Sequence, residues 1–359
     1  MTAVLRSAGS GPAQRPVIAP AALRTWVADR VLAPVTVVLA VVALACVAVR
    51  TSGGNVPMLL QLVPFAVSIL VFGLPHGALD HLVPARLRPG TGTVRSILVV
   101  VALYVVVGSA TAALWAAAPL VGFVLFVAIT WFHWGQGDLF VDRLLGDGVP
   151  MRWGAALTVC LRGALPMVVP FVTQPDDALR VVTGTATSVG GAAHGVLAVP
   201  VVVRVAGAVV VLGLVVAHLV ALRRAGVPLA RQAWEDAVLL LTFAVVPPVL
   251  AVGLYFTLWH AVRHILRLEL TDPLSAEQLH RGRLLAPFLR FARQAWPVTV
   301  VAVAMLAVLA TVLHRADLGV YLALIAALTT PHTVVVTWMD RRQRTWRPTT
   351  NTPTETSPP

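Results

Sequence analysis

Long apolar runs, broken by short polar stretches, dominate the chain. They lie at about 31–49, 57–82, 95–117, 119–140, 153–172, 196–222, 236–249, 250–267, 297–314 and 318–339. A helix needs about 20 mostly apolar residues to cross a bilayer. The pattern therefore predicts an all-α fold, a polytopic integral membrane helical bundle of about ten transmembrane helices. The segment 236–267 is long for one crossing and short for two. Pro247-Pro248 in its middle should break a helix, because proline lacks the N–H and clashes with the preceding turn. Residues 1–30 read as a cytoplasmic N-terminal arm with no apolar core for a cleavable signal. Residues 31–340 read as a single membrane-embedded domain, and 341–359, rich in Arg, Thr and Pro, as a disordered tail.

Composition supports this. Hydrophobic residues make up 58% of the 359 positions and charged residues 12%, with a mean hydropathy of +0.85. A soluble domain cannot hide that much apolar surface. The net charge of +12 comes from 27 basic residues, all arginine, in short loops between the runs. That placement argues against nucleic acid as a partner and for membrane orientation. With the N-terminus in the cytoplasm and both short segments crossing, the inner loops collect Arg86, Arg88, Arg95, Arg143, Arg152, Arg223, Arg224, Arg231, the 263–296 cluster and Arg341 to Arg347. The outer loops keep only Arg50, Arg180 and Arg315. A single crossing at 236–267 would throw the 263–296 cluster outside, so the bias favours ten spans in the cell membrane with both termini cytoplasmic. Residues 283–296 mix arginines with Leu, Phe and Trp and suit either an interfacial helix or a plain loop. Cys46 and Cys160 sit within apolar runs and suggest no disulfide.

The histidines then sort by depth. "PHGALDH" closes the second span, "WFHWGQGD" the fourth, "WHAVRH" the eighth and "TTPHTVVVTWMD" the tenth. All four spans run inward, so all four groups fall in the cytoplasmic half. His260 and His264 are one helical turn apart and share a face. With His76 and His133 they form a candidate four-imidazole metal site, of a kind that suits Fe, Zn or Cu. Asp80 and Asp138 follow their histidines by four and five residues, and each is a candidate to orient a ligating imidazole. Pro331 precedes His332, which is a candidate either for the site or for a structural hydrogen bond. His81 points away from the face of His76. His194, His218, His280 and His314 sit in loops or at helix ends without companions and read as structural. Arg162, inside the fifth span, wants a buried partner, with Asp80 or Asp138 as candidates, or else snorkels to the interface.

At these residues the sequence resembles the Brp/Blh family of bacterial and archaeal β-carotene 15,15′-dioxygenases. The resemblance is carried by Pro75-His76-Gly77 with Asp80, Phe132-His133-x-Gly135 with Asp138, Trp259-His260-x-x-Arg263-His264, and Pro331-His332, in the family's order. It extends from about residue 57 to 340. It implies a catalytic membrane domain that cleaves the central double bond of β-carotene with O2, giving retinal for a microbial rhodopsin. It also implies one Fe(II) held by His76, His133, His260 and His264. The polyene would lie in an apolar tunnel opening to the lipid bilayer. Three rivals share some of the pattern. A di-iron desaturase needs more histidine boxes than this chain has. A transporter with intramembrane histidines is favoured by inverted repeats, and none is visible. The same fold could also cleave another carotenoid or isoprenoid.

Overall fold

The computed structural model describes residues 19–67, 71–151, 153–188, 198–312 and 318–347, and among them every regular element is a helix. In chain order, α1 is Ala21–Thr51, α2 Met58–Val67, α3 Gly73–Ala78, α4 Val83–Leu87 and α5 Thr93–Ala117. They are followed by α6 Pro119–Leu145, α7 Gly154–Thr173, α8 Pro175–Ser188 and α9 Val201–Arg224. The last five are α10 Ala230–Val245, α11 Pro248–Glu269, α12 Pro273–His280, α13 Leu285–Val312 and α14 Leu318–Gln343.

Seven helices among the described residues are long and apolar enough to cross a membrane: α1, α5, α6, α7, α9, α11 and most of α14. Of the other expected spans, 57–82 and 297–314 run into residues outside the described set. The one at 236–249 is α10, whose 16 residues reach about 24 Å at 1.5 Å per residue. The outer faces of α5, α9 and α13 carry exposed Val94, Val106, Val201, Val202, Leu285 and Val301. Lipid suits that surface; water does not.

Pro247-Pro248 breaks the chain as expected. Val246 is extended, α10 has ended, and Pro248 opens α11. The freed carbonyl of Val246 accepts a hydrogen bond from Gln174 Nε2 at 2.7 Å, and Arg50 donates to the Oε1 of the same glutamine. Three boundaries differ from expectation. α1 begins inside the expected arm, because Leu23, Val27 and Leu32 bury against Phe140, Leu144, Leu266 and Leu279. The expected tail starts with docked residues: Arg143 Nε donates to the Thr345 carbonyl at 3.3 Å, and Trp346 Nε1 to Asp340 at 2.9 Å. The segment 283–296 is not a separate interfacial piece, since α13 runs unbroken through Pro297. Residues 1–18 and 348–359 lie outside the described set.

The bundle is tightest where α6 meets α7. A Cβ on Gly135 would stand 2.4 Å from the Val159 carbonyl oxygen, and one on Gly163 would stand 2.2 Å from that of Trp131. Only glycine permits so close an approach of two backbones. The main apolar core beside this contact joins Leu161 and Leu165 of α7, Leu239 and Phe243 of α10, and Tyr255 and Trp259 of α11.

Candidate metal centre

Each motif histidine is presented by a locally unusual piece of helix. α3 is only six residues long; it stops at Leu79 (φ −90°, ψ 0°) and passes into a 3-10 turn, Asp80–Leu82. Asp80 therefore leaves the helical face of His76 and turns toward α14. In α6, Gly137 faces the His260 ring, and a Cβ there would make ordinary contact with His260 Nδ1 at 3.4 Å. In α11 the turn Tyr255–His260 is π-helical, a wide turn common at functional sites. It delivers His260 and His264 with nearly parallel rings, 6.3 Å apart at 18°. In α14, Pro331 sits inside the helix immediately before His332.

These pieces converge. The His76 ring centroid lies 5.4 Å from that of His260, 5.3 Å from His264 and 4.9 Å from His332. That of His133 lies 4.7 Å from His260, 6.3 Å from His264 and 4.8 Å from His332. His264 and His332 are 4.9 Å apart. All five are buried. The four motif groups, spread over more than 250 positions, thus meet in one place.

The cluster has the chemistry of a metal site. Nε2 of His133, His260, His264 and His332, and Nδ1 of His133, are buried without a hydrogen-bond partner. Burying so many polar atoms unsatisfied is costly; a cation shared between their lone pairs relieves that cost. Ligand atoms of His76, His133 and His332 lie within 4.8 Å of one another, as do those of Asp80, His264 and His332. Metal–imidazole bonds of about 2.1 Å place two ligand nitrogens at most about 4.2 Å apart, a spacing the His76, His133 and His332 triplet approaches. The residues fit a metal.

The carboxylates lie one layer out. Asp80 accepts from Tyr104 Oη and pairs with His332 Nδ1, both at 2.7 Å. Asp138 accepts from Trp259 Nε1 at 2.8 Å and pairs with Arg263 Nε at 2.9 Å, while the Arg263 guanidinium lies 3.6 Å from the Trp259 ring centroid. It therefore secures the residues flanking His260. Arg162 is fully buried, but its partners are neither Asp80 nor Asp138. It bonds Gln232 Oε1 at 2.6 Å and pairs with Glu235 at 3.3 Å and Asp236 at 3.2 Å. Those acids sit on the first turns of α10, Glu235 just before and Asp236 at the start of the expected span 236–249. Asp236 also bonds His218 Nδ1 at 3.0 Å, so His218 is a buried, partnered residue and not a lone one at a helix end. His81 Nδ1 bonds the Ala78 carbonyl, and His280 Nδ1 the Ala276 carbonyl, both outside the cluster. His194 and His314 fall outside the described residues.

One further carboxylate escaped sequence reasoning. Asp340 accepts from Gln136 Nε2 at 2.9 Å and from Arg267 Nη2 at 2.7 Å. Its signal was present, as the last residue of the fourth motif.

A cavity reaches the cluster from one side. His76, His133 and His332 form part of its wall, together with Phe123, Phe126, Phe171, Phe256, Trp134 and the aliphatic side chains of α7, α8, α11, α13 and α14. No charged residue lines it among the described residues. His260 and His264 lie behind that wall.

The family model described as beta-carotene 15,15′-dioxygenase matches residues 67–340, which contain every histidine of the cluster. A Blh protein of Halobacterium salinarum, described as a probable β-carotene 15,15′-dioxygenase, is 42% identical over 294 residues, covering 78% of this chain and 84% of the relative. A Brp protein of the same organism, described likewise, is 30% identical over 327 residues, covering 82% and 88%. No solved structure matches the chain. The chain belongs to the β-carotene 15,15′-dioxygenase family.

Proposed function

We propose that the chain is a membrane-embedded, iron-dependent dioxygenase that cleaves the central 15,15′ double bond of β-carotene with O2 to give two molecules of retinal. The observation that carries this reading is the meeting of buried, unpartnered imidazoles at the wall of an apolar cavity. His76, His133, His260 and His264 hold the metal. Fe(II), when bound, supplies the binding and activation of O2.

The chain's own residues do the rest. Phe123, Phe126, Phe171 and Phe256 give the cavity flat apolar walls, which suit a rigid polyene and exclude water. The cavity fixes which double bond lies beside His76 and His133, and such positioning is worth several orders of magnitude in rate. The reaction balances without a proton donor or acceptor: the C=C bond breaks, and each oxygen atom of O2 ends in one aldehyde. A cavity wall without carboxylates, lysines or arginines among the described residues is adequate for that. The substrate is soluble in lipid, so the enzyme sits in the cell membrane, with both termini in the cytoplasm and a retinal-binding rhodopsin as the acceptor of its product.

Expression in a host that accumulates β-carotene tests the reading. The orange colour should fade as retinal appears, and His260→Ala should abolish both. Persistence of the colour, or carbonyl products of unequal length, overturns the proposed reaction. The purified protein should contain one iron per chain; two irons would point instead to a di-iron centre.

A further inference from the structure

Resting on that reading, we propose that His332 is a fifth imidazole of the metal centre, with Asp80 and Tyr104 as the residues that position it. The argument begins with its tautomer. Asp80 is buried, and His332 is hydrogen-bonded to it, with Nδ1 2.7 Å from Oδ2. Tyr104 Oη donates to the same oxygen at 2.7 Å. A carboxylate accepts only, so Nδ1 of His332 carries the proton, and in the neutral ring Nε2 keeps the lone pair. That Nε2 is buried and unpartnered. A carboxylate behind an imidazole, leaving the far nitrogen bare, is the arrangement that orients metal-bound histidines and raises their basicity.

Position points the same way. The His332 ring stands 4.9 Å from His76, 4.8 Å from His133 and 4.9 Å from His264. A ligand atom of His332 also lies within 4.8 Å of those of His76 and His133. A purely structural histidine has no reason to aim a bare nitrogen into a ring of other bare nitrogens. His332 also lines the cavity, as His76 and His133 do. The substrate side of the metal is thus edged by three imidazoles from α3, α6 and α14. The Asp80 carboxylate, which has no arginine among its ion-pair partners in the described residues, gains a compensating positive charge from the metal.

His332→Asn separates this role from a structural one, because the asparagine amide can still donate to Asp80 but offers no imidazole. Wild-type and variant proteins are purified in detergent, stripped, reloaded with Co(II) and compared by bound-metal stoichiometry and visible absorption. The expected result is weaker Co(II) binding and a changed ligand-field spectrum in His332→Asn, with added imidazole restoring the His332→Ala spectrum. Asp80→Asn should weaken metal binding by about 10–100-fold, and Tyr104→Phe by less. Unchanged Co(II) affinity and spectrum in a folded His332→Asn overturn the inference and leave the dioxygenase reading standing. A wild-type protein that binds no metal and yields no retinal overturns the dioxygenase reading itself.

Discussion

Gly135→Ala tests the connection between helix packing and the site. A Cβ at that position would stand 2.4 Å from the carbonyl oxygen and 2.7 Å from the Cα of Val159, where ordinary contact begins at 3.4 Å. The obstacle is backbone, so no rotamer change relieves it. The α6 and α7 helices must part by about 1 Å at this point, a strain of about 1–3 kcal/mol by comparison with overpacked cores. His133 is two residues away on α6, and its ring sits 4.7 Å from His260 and 4.8 Å from His332. Functional constellations tolerate displacements of about 0.5 Å. The methyl group should therefore lower both the thermal midpoint and the metal content of purified protein. Gly213→Ala in α9 is the control, since a Cβ there meets nothing within 4 Å; it should be neutral or up to about 1 kcal/mol stabilising. If Gly135→Ala melts and retains metal as Gly213→Ala does, the close approach of α6 and α7 does not govern the site.

Three further outcomes are expected. Arg263→Met leaves the Asp138 carboxylate buried without its cation and should cost about 3–5 kcal/mol in unfolding; adding Asp138→Asn should recover part of the loss, and no recovery refutes the pairing. Val252→Trp fills the cavity on α11 one turn before Phe256, so turnover of β-carotene should fall roughly tenfold or more with iron content unchanged; wild-type turnover would mean that the substrate takes another path. Stripping the metal with a chelator should stop retinal formation and lower the melting temperature, with Fe(II) restoring both, since a ligand that binds only the folded state adds about 2.7 kcal/mol at a hundredfold excess over its Kd; activity that survives complete chelation would dispose of the metal reading.

What was legible in the sequence was whatever repeats locally. Apolar runs mark helices because lipid leaves the backbone little other choice. Proline pairs mark breaks, so 236–267 divides at Pro247. The histidine groups stood out because polar residues are costly in such runs, and arginine bias alone assigned them a common depth. Pairings across the bundle were not legible. Arg162 lies more than 70 positions from Glu235, and Tyr104 joins Asp80 from the far side of a loop. No periodicity encodes which face of one helix meets which face of another. The π turn before His260 was equally hidden, because nothing in "YFTLWH" departs from an ordinary apolar helix.

The carboxylates explain why this cluster holds together in lipid. Apolar helix faces in a bilayer gain little from one another over lipid tails, so packing alone fixes their register weakly. The four histidine-bearing segments are instead tied by buried carboxylates. Asp80 joins α14 to the turn after α3 through His332. Asp138 joins α6 to α11 through Arg263 and Trp259. Asp340 joins α14 to α11 through Arg267 and to α6 through Gln136. The ties close on one another, so none of these segments can slide by a turn without leaving a buried carboxylate short of a partner in a dry interior. Each of these acids follows a motif histidine by four, five or eight positions in the sequence. A segment that carries an imidazole thus carries, one to two turns on, the group that sets its height in the bundle. The register that brings the five rings together is in this sense written beside each histidine, and it becomes readable only when the partner helix is known.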